Sequence, residues 1–184
     1  GNQFTLDPAS EEGGAQMAYV KKWIDNSVLM AAPHVRVFAG KIPKGMDEAV
    51  AEKNAIEALK VASEYAAERG IFLGIENHDS IGSAEKLIGI VEAVDNPWLG
   101  VNLDSGNFRT EDPYSDFEQC VPYSVNIQMK EEIKIGEEKQ PTDFDRIFSS
   151  IKSGNYSGNV VLEFEGEGDP YIRVPELLAE LKAY

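Results

Sequence analysis

The sequence predicts an α/β fold built from repeated strand–helix units around a parallel sheet. Short apolar runs alternate five times with amphipathic segments, and consecutive runs start about 25 to 37 residues apart, which is room for one crossover helix each. Each run also carries one apolar face, suited to packing beneath helices. The length of 184 residues fits a single domain, 1–184, large enough to bury a core. A doubly wound sheet and a (β/α)8 barrel both satisfy this order. No glycine-rich phosphate loop follows any strand. The turn after the second strand reads DSIGSAEK and the one after the last reads GEGDP, so a dinucleotide fold loses support.

The first helix is expected over Ala15 to Met30, where Met17, Val20, Ile24, Val28 and Leu29 recur at helical spacing. HVRVFAG, His34 to Gly40, reads as a short strand. The clearest helix runs from Asp47 to Arg69, with Ile56, Leu59, Ala62 and Ala66 on one stripe and Gly70 as its stop. IFLGIENH, Ile71 to His78, is the second strand, and a helix capped by Ser83 follows to Val94. After Pro97 comes LGVNLDSGN, Leu99 to Asn107, then a short helix near Tyr114 to Gln119 and the strand SVNIQMK, Ser124 to Lys130. Gly136 to Lys139 reads as a solvated acidic loop. Thr142 opens a helix that Gly154 ends. NVVLEFE, Asn159 to Glu165, is the last strand, and a closing helix is expected over Pro175 to Tyr184, with proline in its first turn.

Composition narrows the function. Thirty-two Asp and Glu against 17 Lys and Arg leave a formal charge of −15, a surface that repels nucleic-acid backbones and anionic membranes. The single cysteine, Cys120, excludes an intrachain disulfide framework and a multi-cysteine metal site, and reads as a buried thiol. No apolar run of about 18 residues and no basic-then-apolar start is present, so a soluble, cytoplasmic protein is expected.

Strand parity locates the chemistry. Residues two apart share a face. Glu76 and His78 therefore lie opposite Leu73 and Ile75; Asn102 and Asp104 lie opposite Val101 and Leu103; Asn126, Gln128 and Lys130 lie opposite Val125, Ile127 and Met129. Glu163 and Glu165 likewise share a face, as do His34, Arg36 and Phe38. In each strand the second face turns polar toward its C-terminal end, which suggests a barrel with a polar inner mouth, where such barrels keep their active sites. The plainer alternative is an antiparallel sheet wetted on one side, and the helices between the strands weaken it.

Glu76, Asp104, Gln128 and Glu163 converge, one per strand. Three carboxylates at one mouth repel one another unless a cation sits among them, and such oxygen ligands select Mg²⁺ or Mn²⁺ over zinc. A divalent ion there would bind a sugar's carbonyl and hydroxyl oxygens and stabilise an enediolate while a carboxylate moves the proton on the neighbouring carbon. That is isomerase or epimerase chemistry. Lys130 is open between two roles, binding a substrate or enediolate oxygen and pairing with Glu163 or Glu165 at the core rim. His78 either contacts substrate or orders its loop. Arg36, facing inward, needs a partner, and a carboxylate of the site serves. Trp23 and Trp98 read as packing residues.

In this order, IENH, LDSGNF, VNIQMK and LEFEGEGDP resemble the sugar isomerase/epimerase group of the xylose isomerase-like TIM barrels, as do VRVFAG and the helix ending YAAERG. The resemblance covers about Phe4 to Tyr184. It implies a metal site of Glu76, Asp104, Gln128 and Glu163 holding Mn or Mg. Glu76 and Glu163 would double as the acid/base pair on opposite sides of the substrate carbon, and Asn107 stands where many relatives carry a histidine near the substrate. With the residues read above, the candidate substrate-binding set is His78, Asn107, Lys130 and Arg36. Relatives usually carry histidine where Gln128 stands, and an amide oxygen is a weaker, neutral donor. The resemblance also sets the five strands as strands four to eight of an incomplete barrel, with the first two βα units absent. Self-association is then expected to cover the open edges. Two alternatives stand beside the sugar isomerase reading. One is a catalytically impaired barrel acting as a binding or self-assembling module. The other is the phosphodiester-cleaving endonuclease branch, which the −15 charge and the two histidines, His34 and His78, disfavour.

Overall fold

A computed structural model of the chain describes residues 1–136 and 138–184. Five strands, β1 (His34–Val37), β2 (Phe72–Glu76), β3 (Leu99–Asp104), β4 (Ser124–Lys130) and β7 (Val160–Glu163), form one sheet in the order β1-β2-β3-β4-β7. Every pairing is parallel. The helices are α1 (Glu11–Leu29), α2 (Glu48–Ala67), α3 (Ala84–Val94), α4 (Pro113–Cys120), α5 (Phe144–Ser153) and α6 (Pro170–Leu181). The sheet is thus a curled half-barrel, open at β1 and β7, which each have one neighbour among the described residues. Its outer face, Leu73, Ile75, Val101, Leu103, Ile127 and Met129, is buried against Leu59, Leu87, Ile90, Phe117 and Ile147 of the helices. No helix among the described residues is long and apolar enough to cross a membrane.

Several boundaries differ from expectation for local reasons. The first helix starts at Glu11 because Ser10 caps it, its Oγ accepting from the Gly13 N–H at 3.0 Å. A glycine is required at residue 13, where a Cβ would lie 2.1 Å from the Asp7 carbonyl oxygen. The last helix starts at Pro170 rather than Pro175: Asp169 caps it, and Pro175 lies inside, removing one backbone N–H from a largely exposed helix. The segment expected as an acidic loop is a hairpin, β5 (Glu132–Ile135) with β6 (Glu138–Pro141), while Glu137 lies outside the described residues. Alternation of Glu132, Ile133, Lys134 and Ile135 already carried a strand signal, and Ile133 is buried.

The largest departure is in β4. Its register against β3 shifts so that Val101 pairs with Ser124 but Asn102 pairs with Asn126. The extra residue, Val125, turns from the outer face to the inner one, correcting the simple parity reading. There it fills the space left by Gly74 and Gly100; a Cβ on Gly100 would come within 2.5 Å of the Val125 side chain.

Trp98 packs on Phe72 at 4.7 Å between ring centroids, as a packing residue should. Trp23 differs, being 44% exposed beside Tyr19 on the β1 side. Cys120 is a buried free thiol, and burial, with the Asp116 charge, pushes it up to about 12. A thiol reagent at neutral pH is therefore expected to leave the native protein unlabelled and to label it fully after denaturation. Rapid labelling of the folded chain would contradict this burial.

Candidate active site

The register brings the polar positions together in ascending rows on the inner face. Glu76 pairs with Asn102 and Asn102 with Asn126; Asp104 pairs with Gln128; Lys130 pairs with Glu163. Loops beyond the strands tie these ends to one another. Asn77 donates to the Asp104 carbonyl at 2.9 Å and accepts from the Asp104 N–H at 2.8 Å, pinning β2 to β3. Ser105 does the same one strand on, its Oγ accepting from the Lys130 N–H at 2.9 Å. The IEN and DSG segments thus position the site by completing backbone pairing where the regular ladder ends.

Seven of the eight sequence-predicted site residues form one connected cluster. Arg36 Nη1 lies 3.0 Å from Glu76 Oε2. Asn107 donates to Glu76 Oε1 at 3.1 Å and accepts from Lys130 Nζ at 3.2 Å. Lys130 Nζ also lies 3.3 Å from Asp104 Oδ2, 3.6 Å from Glu163 Oε2 and 2.8 Å from Glu165 Oε2. Gln128 Nε2 donates to Glu163 Oε2 at 2.7 Å and approaches Asp104 Oδ2 at 3.5 Å. The eighth residue, His78, stands beside the cluster. Its ring packs edge-on against Phe38 at 5.0 Å, and its Nδ1, 3.3 Å from Asp79 Oδ2, makes no hydrogen bond within the described residues.

Asn102 and Asn126, not singled out as site residues from the sequence, lie directly below. Asn126 donates to Asn102 Oδ1 at 2.9 Å; Asn102 Nδ2 donates in turn to Gln128 Oε1 and reaches Glu76 Oε2 at 3.5 Å. Their signal was present as buried polar types on the polar face of two adjacent strands. Glu165 is a further member through Lys130.

Burial pushes Glu76 above the usual carboxylate range, against the Arg36 charge. Burial also dominates at Asp104, raising it to about 7 although Lys130 is close. Glu163 behaves oppositely. Burial would raise it, but the Lys130 charge and hydrogen bonds from Asp104 and Gln128 outweigh that and hold it low. Burial works against the Lys130 ammonium too, and the charges of Asp104, Glu163 and Glu165 overcome it, raising its pKa. A carboxyl raised on folding stabilises the folded chain relative to its ionised state below its ordinary value. That contribution is lost as pH rises from 3.8 through about 7 at Asp104. The thermal midpoint is therefore expected to fall across this window in chelator-treated protein, and Asp104→Asn should flatten the slope; an unchanged slope in the variant would refute this assignment.

The family model for xylose isomerase-like TIM barrels matches residues 3–183. The chain belongs to this family. No functionally curated protein matches its sequence. Among solved structures, it is similar to the 3-keto-D-glucoside 4-epimerase YcjR of E. coli, with TM-score 0.82, 15% identity, and 100% of this chain covering 76% of that one. It is similar to a xylose isomerase-like TIM-barrel protein of Mycobacterium smegmatis in complex with magnesium, with TM-score 0.79, 17% identity, and coverage of 97% and 70%. It is also similar to the D-psicose 3-epimerase of Clostridium cellulolyticum H10 crystallised with D-tagatose, with TM-score 0.73, 16% identity, and coverage of 90% and 62%. The chain thus spans between 62% and 76% of the length of these three structures. At such identities the likeness establishes the fold.

Family membership raises the question of a divalent ion, and the magnesium in the mycobacterial structure shows that one relative binds such an ion. Oxygen donors are here in the right number, but they do not fit one as arranged. Gln128 turns its nitrogen, not its oxygen, toward Asp104 and Glu163. Lys130 places an ammonium among Asp104, Glu163 and Glu165. Arg36 covers Glu76.

Proposed function

We propose that this protein is an epimerase or isomerase of a keto sugar that moves a proton on the carbon next to a carbonyl through an enediolate. The observation that carries the reading is the pairing of Glu76 and Glu163. They are two carboxyls at the C-terminal ends of separate strands, facing one mouth, with environments that push their proton affinities apart. Glu163, held ionised, is the base that takes the proton. Glu76, biased toward its protonated form, returns one from the other side. Asn107 and Arg36 hold Glu76 in place, and Gln128 and Lys130 hold Glu163. Keto-sugar substrates of the similar epimerases support the substrate class. Deuterium incorporation into D-fructose and D-tagatose in D₂O, followed by NMR, tests the reading; absence of exchange in every ketose tried would remove it.

We also propose that the five strands correspond to strands four to eight of a complete barrel, and that a second copy covers the open edges. Val161 on the inner face of β7 is 47% exposed, and Tyr19 and Trp23 line a cavity together with Val35, Arg36 and Val37 of the edge strand β1. Unpaired edges and exposed apolar groups of this kind favour association. Sedimentation at micromolar concentration is expected to show a dimer or larger species; a compact monomer would count against it.

A further inference from the structure

The inference here rests on the proton-transfer reading and concerns what neutralises the enediolate. In proton transfer beside a carbonyl, negative charge develops on the carbonyl oxygen, and something cationic must meet it. Among the described residues the site already holds two cations in fixed positions. Lys130 is the better placed. Its side chain is 12% exposed, and its ammonium touches Asp104, Glu163, Glu165 and Asn107. Its stem lies in a groove made for it, because a Cβ on Gly106 would come within 2.8 Å of Lys130 Cδ. Its backbone is anchored on both sides, the N–H to Ser105 Oγ at 2.9 Å and the carbonyl accepting from Thr142 Oγ1 at 2.8 Å. The lysine is therefore built into the mouth, not folded over it from the surface.

A second, independent observation concerns Gln128. Its orientation is set from below by a chain of amides with one polarity: Asn126 donates to Asn102, Asn102 donates to Gln128 Oε1, and Gln128 Nε2 donates to Glu163. Arg36 Nη1 also reaches Gln128 Oε1, at 3.4 Å. Rotating the amide to offer its oxygen to a cation at the carboxylates would set its NH₂ against two donors, Asn102 and Arg36, and would leave Glu163 without its closest partner. The residue at the position where a fourth ligand is expected is thus committed to donating.

We propose that the Lys130 ammonium, assisted by Arg36, takes the place of a divalent cation in this chain, so that the proton transfer is metal-independent. Glu163 accepts the proton from the carbon beside the ketone. The C–H electron pair becomes the enediolate double bond, and the carbonyl π pair moves to oxygen, which Lys130 Nζ meets as a hydrogen-bond donor. Glu76 then delivers its proton to the opposite face of the same carbon, and the electrons return to the carbonyl. Nothing is oxidised or reduced, and Lys130 ends as it began.

The test uses the whole chain after exhaustive treatment with EDTA. Binding of Mn²⁺ is followed by the electron paramagnetic resonance of the free ion, and by the thermal midpoint with and without about 1 mM Mn²⁺, a level that would reveal any site at least ~100-fold tighter. Expected results are no stoichiometric Mn²⁺, no shift in midpoint, and deuterium exchange into ketoses at the same rate in EDTA and in Mn²⁺. Lys130→Met is expected to slow exchange ~10²- to 10³-fold, as loss of one transition-state donor does. It also exposes the carboxylates, so that Mn²⁺ now raises the midpoint. If that variant does not fold, the wild-type measurements decide alone. One Mn²⁺ bound stoichiometrically by the wild type, or exchange that stops in EDTA and returns with Mn²⁺, overturns metal independence while leaving the proton-transfer reading intact. Exchange absent with and without Mn²⁺ overturns the proton-transfer reading, and the role of Lys130 falls with it.

Discussion

Glu163→Gln is expected to lower ketose deuterium exchange by ~10²- to 10⁴-fold, the usual contribution of a positioned base. Glutamine keeps the shape, and its amide oxygen can still accept from Gln128 Nε2, which lies 2.7 Å from Glu163 Oε2. The variant should therefore fold. What it loses is the charge that takes the proton. Glu76→Gln should lower epimerisation by a similar factor for a different reason, since an amide cannot hand a proton to the opposite face of the carbon. The two losses should not multiply in the double variant, because one epimerisation turnover needs both groups. The deficit should appear in kcat with KM little changed. A KM effect alone would reduce both residues to binding roles, and retention of more than about a tenth of the wild-type rate by either would contradict the acid/base pair.

Phe117→Ala is expected to give the largest loss of stability, ~3 to 5 kcal/mol, as burying a full aromatic side chain and then emptying its space does. Phe117 is fully buried on α4, which packs between α3 and α5 and against β3 and β5. No neighbour can close the gap without moving one of these elements. For a chain of this size that corresponds to a fall of about 6 to 20 °C in the thermal midpoint. Val61→Ala on the exposed side of α2 is the control and should stay within about 0.5 kcal/mol. A midpoint shift of similar size in the two variants would mean that Phe117 is not part of the core.

Much of this molecule was legible along the chain. Helical stripes such as Ile56, Leu59, Ala62 and Ala66, and a cap such as Ser83, are local features, and the helices form where they predict. The polar faces of β2, β3, β4 and β7 also follow from alternation, which is why Glu76, Asp104, Gln128, Lys130 and Glu163 stand out in the sequence. Less legible was anything that depends on how two strands meet. The bulge at Val125 arises because Gly74 and Gly100 leave a hole on the neighbouring strands, and no pattern within SVNIQMK marks it. The start of α6 was missed because two prolines, Pro170 and Pro175, each suit a first turn, and the cap at Asp169 decides between them.

The alternation of strands and helices, the apolar stripes and the identity of the inward carboxylates follow from residue spacing, because side-chain direction in a strand or helix is set by backbone geometry; the order of the strands within the sheet does not. The state of those carboxylates does not. Asp104 bears a raised proton affinity because it is buried, and Glu163 a lowered one because Lys130, Asp104 and Gln128 surround it. Gln128, which spacing alone offers as a ligand, becomes a donor because Asn102 and Arg36 occupy its oxygen from elements far away in the chain. Burial and hydrogen-bond polarity are properties of neighbours in space, and in this protein they separate a cluster that attracts a cation from one that already contains it.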